Sequence, residues 1–251
     1  MKQLLILLML VGVSCTKKSP KSDPKDDTLS SENRPNLAKV YRWPPAADIE
    51  FEVLPEDRRL AKNYYIVFDG SGSMGDTKCA DGQKKAQVAV KALKQFASNV
   101  PPRDNLGLLV FDNRGLEERV PLNINNRETF FDELYSVKVG GGTPLGSAIE
   151  LGKVKLEQQA RRQLGYGEYN LIVVTDGEAD SNDLPHKAVD YLVSETPVVV
   201  QTIGFCIGSD HTLNRPQETV YKSANNSKEL LSSLEEVLAE SETFVDTQFE
   251  Q

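Results

Sequence analysis

The chain has 251 residues, of which 39% are hydrophobic, so it is long enough and apolar enough for one sizeable α/β domain with additional segments. Its formal net charge of −8, without a basic stripe along the sequence, argues against nucleic acid as the main partner. Solubility alone accounts for an acidic balance of this kind, so the charge identifies no partner.

The N-terminal segment has the pattern of a secretion signal. Lys2 precedes an apolar run, Leu4 to Val13, that is too short to span a bilayer. The run ends in Gly12-Val13-Ser14-Cys15, which resembles a bacterial lipobox with Gly12 where Leu is usual. We therefore predict a signal peptide over residues 1–14 and acylation of Cys15, with ordinary secretory cleavage as the alternative.

The segment after Cys15 is predicted to be a tether. Residues 15–38 are polar, charged and contain several prolines, a composition typical of disorder. Acyl chains on Cys15 would anchor the protein to a membrane, since each buried CH₂ contributes about 0.8 kcal/mol. By resemblance to bacterial lipoproteins, Thr16 after the cysteine favours the periplasmic side of the outer membrane within the bacterial cell envelope. Residues 39–60, which contain the single tryptophan, are expected to pack on the following domain as an extension.

Apolar segments alternate with helical patterns through the rest of the chain. Apolar residues at a spacing of 3.6 predict helices, most clearly from Ala86 to Phe96 and from Leu230 to Leu238. The pattern predicts an α/β fold with a doubly wound, mostly parallel central sheet flanked by helices. Four continuous apolar runs read as buried parallel strands, and two shorter segments read as edge strands: Tyr64–Phe68, Leu106–Phe111, Leu171–Val174 and Val198–Phe205, then Arg119–Leu122 and Thr219–Ser223.

Three polar fragments border the predicted strands. They are Asp69-Gly70-Ser71-Gly72-Ser73, Gly140-Gly141-Gly142-Thr143 and Thr175-Asp176-Gly177. Ligands of doubly wound sheets bind beyond the carboxyl ends of the strands, where the strand order reverses. Asp69 and Asp176 follow two strands that are neighbours in the order this fold class commonly uses. Together the fragments offer two carboxylates and three hydroxyls, a hard oxygen set suited to Mg²⁺ or a similar cation.

These fragments resemble the metal-ion-dependent adhesion site of von Willebrand factor A domains, a likeness that covers a domain at residues 61–241, with 242–251 as a tail. The resemblance implies one bound Mg²⁺, with Mn²⁺ or Ca²⁺ as alternatives. It also implies a protein ligand whose acidic side chain completes the coordination, and no catalysis. The resemblance implies five ligands. Three provide hydroxyl oxygens and two provide carboxylates that bind the metal directly or through water: Ser71, Ser73 and Thr143, and then Asp69 and Asp176.

The expected function is therefore a membrane-anchored, divalent-metal-dependent protein-binding module of the adhesion type. The alternative is an envelope scaffold or assembly factor that binds through another surface, with the metal only structural. A further alternative is that the Asp, Ser and Thr residues only cap helices and make turns. Gly70 to Gly75 fits the dinucleotide fingerprint G-x-G-x-x-G, but a polar stretch over residues 76–83 separates it from the next helix, so we predict no nucleotide.

Two further groups of residues lie near the predicted binding edge. Cys79 and Cys206 are both expected on loops beyond the carboxyl ends of strands, and a disulfide and two free cysteines remain equal alternatives. Five more acidic residues are expected along the same rim, where the simplest interpretation is a solvated acidic edge: Asp76, Asp81, Asp112, Glu178 and Asp180.

Overall fold

The computed structural model describes residues 43–48 and 50–242. The predictions for the signal peptide, for Cys15, for the tether and for residues 243–251 fall outside the described residues. Among the described residues, no helix is both long enough and apolar enough to cross a membrane.

The described part of the chain alternates strands and helices, as the sequence pattern predicts. Its strands are β1 (Asn63–Asp69), β2 (Asn105–Asp112), β3 (Gly115–Asn123), β4 (Tyr169–Thr175), β5 (Val199–Phe205) and β6 (Val220–Ala224). Its α-helices are α1 (Glu56–Arg59), α2 (Lys85–Asn99), α3 (Arg127–Tyr135), α4 (Leu145–Arg162), α5 (Pro185–Glu195) and α6 (Ser227–Glu242). A short 3-10 turn at Gly72–Gly75 follows β1.

The six strands form one sheet in the order β3-β2-β1-β4-β5-β6. All neighbouring pairs are parallel except β2 and β3, which are antiparallel. The chain runs from β1 to one side of the sheet and later returns to β4 on the other side, so the strand order reverses between these two strands. The predicted fold class, a doubly wound and mostly parallel sheet, is confirmed.

Helices cover both faces of the sheet, which explains why the central strands are continuously apolar. Every residue of β1 is buried, and its side chains alternate between the two faces. Tyr64 and Phe68 belong to the core beneath α2, α3 and α6, whereas Tyr65 and Val67 belong to the core beneath α4 and α5. The edge strand β3 is mostly exposed or half-buried, as expected for a strand with only one neighbour.

The extension before β1 contacts the domain at the edge opposite the strand carboxyl ends. The Trp43 ring packs edge-on against Tyr169, with the ring centroids 5.3 Å apart. The Leu54 N–H donates a hydrogen bond to the carbonyl of Arg162 at 2.8 Å. These contacts attach the described part of the extension to β4 and to the end of α4.

Candidate metal centre

The two predicted carboxylates lie side by side at the carboxyl edge of the sheet. Asp69 is the last residue of β1, and Asp176 directly follows β4. The two strands pair in parallel as far as Phe68 and Val174, so both carboxylates emerge at the same level. The hydroxyl of Thr175 donates a hydrogen bond of 2.6 Å to Oδ2 of Asp69. Sheet pairing therefore joins residues that are far apart in sequence.

The serine loop after β1 arranges its hydroxyls around these carboxylates. The Ser71 N–H donates to Oδ1 of Asp69 at 2.8 Å, which folds the loop back over the end of the strand. The Ser73 hydroxyl donates to Oδ1 of Asp176 at 2.6 Å. The Oγ atoms of Ser71 and Ser73 are 3.1 Å apart. Four of the five predicted ligands thus form one hydrogen-bonded constellation.

Asp69 is the most deeply buried member of this constellation. It is 0% exposed, and burial is the main influence that raises the pKa of its carboxyl. The hydrogen bonds from Ser71 and Thr175 act in the opposite direction, while the nearby Asp176 raises the pKa further. No basic side chain in the described part of the chain forms an ion pair with Asp69. The carboxylate is therefore a strong candidate to recruit a cation, because a buried charge without a counter-ion is costly.

Thr143, the fifth predicted ligand, lies on an adjacent loop. The N–H of Gly72 donates to the Gly141 carbonyl at 3.2 Å, and the Gly140 N–H donates to the Gly70 carbonyl at 2.9 Å. These bonds hold the glycine loop against the serine loop. Gly141 has φ of +84°, a left-handed conformation that favours glycine. Thr143 itself is 9% exposed. The backbone hydrogen bonds between the two loops place it beside the loop that carries Ser71 and Ser73.

A buried lysine that was not predicted from the sequence adds a positive charge to the candidate metal centre. Nζ of Lys85, at the start of α2, lies 2.7 Å from Oδ2 of Asp176. The two side chains are only 7% and 0% exposed, so this is a buried ion pair. Lys85 lies on the same helix face as the buried Ala89 and Ala92, but this spacing alone does not distinguish a buried lysine from one that extends to solvent.

A second network fixes the glycine loop from the other side. Oδ2 of Asp180 accepts a hydrogen bond from the Thr143 N–H at 3.0 Å. Asp183 accepts hydrogen bonds from the N–H of Gly146 and from the N–H and hydroxyl of Ser147, the latter two at 3.0 and 2.7 Å. Asp183 thereby caps the amino end of α4, where Pro144 offers no side-chain cap. The loop after Asp176 therefore positions the loop that carries Thr143.

Asp112 corrects the interpretation of the rim as a solvated acidic edge. It is only 4% exposed, whereas the other four acidic residues of the predicted rim are exposed. Its carboxylate accepts hydrogen bonds from the N–H groups of Arg114 at 2.8 Å and Lys138 at 2.9 Å, and it pairs with Arg119 at 3.2 Å. Burial alone would raise the pKa of Asp112, but these hydrogen bonds and the Arg114 charge lower it overall. Asp112 is a support behind the serine loop.

The two cysteines near the rim are bonded to each other. Cys79 and Cys206 form a disulfide with their Cα atoms 5.9 Å apart. The bond ties the loop between the 3-10 turn and α2 to the residue that follows β5. Both cysteines have positive φ, 58° and 64°. Because this loop leads directly into Lys85, the disulfide restrains the backbone that precedes the buried ion pair.

The donor set fits a hard divalent cation. Two carboxylates and one ammonium give the protein part of the site a net charge of −1, and the remaining donors are hydroxyl oxygens. Mg²⁺ takes oxygen ligands and usually keeps several waters, so it does not require a carboxylate-rich cage. In the described residues no group of three or more His, Cys, Asp or Glu side chains is placed to hold a metal.

Comparisons with known proteins show which family and which proteins the chain resembles. Residues 64–178 match the model of the von Willebrand factor type A domain. The uncharacterized protein YwmD of Bacillus subtilis (strain 168) is 27% identical over 163 residues, which cover 59% of this chain and 70% of that protein. The segment that matches the family model, residues 64–178, includes all five predicted ligands.

Two solved structures share the fold. The conserved hypothetical protein BatB from Bacteroides thetaiotaomicron matches with a TM-score of 0.56 at 16% identity, over 72% of this chain and 98% of that one. The pilus adhesin SpaC from Lactobacillus rhamnosus GG matches with a TM-score of 0.55 at 14% identity, over 76% of this chain and 31% of that one. At such identities the likeness concerns the fold alone. Residues 64–178 therefore resemble a von Willebrand factor type A domain, and the order of the strands in the sheet agrees with that fold.

Proposed function

We propose that the chain is a divalent-metal-dependent protein-binding module. The observation that carries the proposal is the constellation at the ends of β1 and β4, where hydroxyl groups surround a buried carboxylate that has no ion-pair partner among the described residues. We expect a Mg²⁺ ion, with Mn²⁺ or Ca²⁺ as substitutes, to be held by five residues: Asp69, Ser71, Ser73, Thr143 and Asp176.

The charges of the site favour an acidic partner. The protein groups carry a net charge of −1, so a divalent cation would leave the site at +1. A bound Mg²⁺ would supply an electrophilic centre with exchangeable water positions, and a carboxylate oxygen can take one of them. The hydroxyl ligands add no negative charge, and Lys85 already neutralises Asp176. An aspartate or glutamate side chain of a partner protein is the ligand that would bring the site to neutrality.

Binding without catalysis is the better-supported activity. His211 lies beside the loop that follows Asp176, with Nε2 located 3.0 Å from the carbonyl of Gly177. Its Nδ1 accepts a hydrogen bond from the Leu213 N–H at 3.0 Å. Both ring nitrogens are therefore engaged by the backbone, so His211 is not free to serve as a general base.

The proposed location is the bacterial cell envelope, with a lipid anchor at Cys15. The support is the signal-like pattern of the first residues and the polar segment that follows it. Two proteins with a similar fold are a pilus adhesin and an aerotolerance-related membrane protein, which is compatible with an envelope role here.

The test is capture of a partner from envelope extract by the full chain, with Mg²⁺ or with EDTA. Thr143→Ala removes one ligand hydroxyl, and Thr129→Ala, an exposed threonine on α3, is the matched control. We expect wild type and Thr129→Ala to retain a partner in Mg²⁺ only, and Thr143→Ala to retain none. Equal capture under all conditions, with a lower melting temperature in EDTA, would instead favour a scaffold in which the metal is only structural.

A further inference from the structure

A groove runs between α2 and α3, beside the candidate metal centre. It has a volume of about 550 Å³, within the range of ligand-binding clefts. Tyr135 stands at its edge and is 60% exposed, unusual for so large an aromatic side chain. The floor and walls are apolar side chains from α2, from the end of α3 and from the segment that follows it: Ala86, Val90, Leu134, Val137 and Val139.

Lysines surround this groove, although the chain as a whole is acidic. Lys84 and Lys91 line it, and no aspartate or glutamate does so. Lys91 donates to the neutral side chain of Gln83, and Lys94 lies 5.3 Å above the ring of Tyr135. The chain carries 37 acidic and 29 basic residues, so the charge of the groove is opposite to that of the rest of the molecule.

A second groove of similar size provides a contrast. It lies between α4 and α5, on the other side of the sheet, with a volume of about 570 Å³. Its charged lining residues are mixed in sign, since Glu150 and Asp183 accompany Lys187. The two larger grooves therefore differ in charge, although a smaller cleft between α2 and α6 also has only lysines, Lys91 and Lys228, as its charged lining residues.

The α2–α3 groove begins where the serine loop ends. Val139 of the groove wall packs next to Gly75, and its Cγ1 would lie 3.4 Å from a Cβ atom at that position. Lys84 directly precedes Lys85, whose ammonium is paired with Asp176. A peptide whose carboxylate reaches the metal centre would therefore meet this groove with its neighbouring residues.

We propose that the α2–α3 groove binds an acidic segment of the partner protein, with an apolar side chain in the groove and further carboxylates against Lys84 and Lys91. The inference rests on the proposed function, because the same segment supplies the carboxylate for the metal centre. Apolar anchors that fill a pocket contribute most of the affinity of such interfaces, and rim charges select the partner. An apolar groove bordered by lysines would therefore bind acidic segments more tightly than neutral or basic ones.

The test is selection of a displayed library of random peptides on the full chain in Mg²⁺, followed by binding measurements with the enriched peptides. The groove variant is Lys84→Glu with Lys91→Glu, and Lys187→Glu in the other groove is the matched control. We expect enriched peptides that combine Asp or Glu with an apolar residue, and affinity for the groove variant weaker by about tenfold or more. The control should bind as the wild type does. All three lysines are exposed, so the variants are expected to fold, which circular dichroism would verify.

Four results would overturn the groove proposal. These are a lack of enriched peptides, enriched peptides without acidic residues, undiminished binding to the groove variant, and self-association of the chain that the groove variant abolishes. If peptides bind the groove variant but no longer bind Thr143→Ala, the metal function is retained and the groove proposal is rejected. If peptides still bind the wild type in EDTA but do not bind the groove variant, the groove proposal is supported and the metal function is rejected.

Discussion

Replacement of Lys85 by methionine tests the charge distribution of the metal centre. Methionine keeps most of the length of the side chain and removes only the ammonium group. In the metal-free protein Asp176 would then be a buried carboxylate without its counter-ion, adjacent to the equally buried Asp69. We expect the variant to be less stable than the wild type without metal, and to gain more stability from Mg²⁺.

The magnitude follows from the geometry of the ion pair. The charged atoms are 2.7 Å apart, and the side chains of Lys85 and Asp176 are 7% and 0% exposed. Removal of one partner from a buried pair costs about 3–5 kcal/mol of unfolding free energy. For a domain of this size, the melting temperature of the metal-free variant should fall by about 10 °C. The proposed cation site exists only in the native state, so saturating Mg²⁺ should restore part of this loss if the proposal is correct.

The assay is thermal unfolding of the full chain in EDTA and in increasing Mg²⁺, followed by circular dichroism. Lys84→Met is the matched control, since Lys84 is the exposed neighbour and its replacement should change stability by less than about 0.5 kcal/mol. If Lys85→Met and Lys84→Met unfold at the same temperature, the buried pair is not energetically important. If Mg²⁺ raises the melting temperature equally in wild type and Lys85→Met, the lysine does not share the site with a cation.

Three further substitutions test the supports of the site. Asp183→Ala removes the cap of α4 and should lower the unfolding free energy by about 1 kcal/mol in urea titration; an unchanged midpoint would exclude the cap. Gly70→Ala would place a Cβ atom 2.9 Å from Cβ of Asp112, so we expect a loss of about 1–3 kcal/mol by the same assay, and a neutral result would contradict the close approach. Cys79→Ser with Cys206→Ser opens a crosslink between residues 127 apart and should cost about 2–4 kcal/mol under oxidising conditions; equal stability of oxidised wild type and variant would show that no bond forms.

The fold could be predicted because its signals are local in sequence. Strands covered on both faces are continuously apolar, and the helices between them have a regular apolar spacing. The exception is α1, because a helix of four residues is too short to show a period. The antiparallel direction of β3 was also not predicted. The predicted edge strand began at Arg119, whereas β3 begins at Gly115, separated from β2 by only two residues, and a connection this short joins antiparallel strands.

The site could be predicted only where sheet topology determined it. Asp69 and Asp176 follow two strands that the fold class places side by side, so their proximity followed from chain order. Lys85 was missed because a lysine in a helix usually extends to solvent, and only the tertiary contact with Asp176 shows that it is buried. Asp112 was misinterpreted for a similar reason, since its counter-ion Arg119 becomes its neighbour only when β2 pairs with β3.

The central claim is that the constellation at the ends of β1 and β4 binds a divalent cation. Titration of Mn²⁺ into the full chain, followed by electron paramagnetic resonance with Mg²⁺ as competitor, tests it most directly. Asp69→Asn is the matched variant, because it removes the buried charge and keeps the shape of the side chain. We predict one saturable Mn²⁺ site in the wild type that Mg²⁺ displaces and that Asp69→Asn lacks while keeping its native circular dichroism spectrum. Absence of saturable binding to the wild type, or identical binding to Asp69→Asn, would contradict the proposed metal centre.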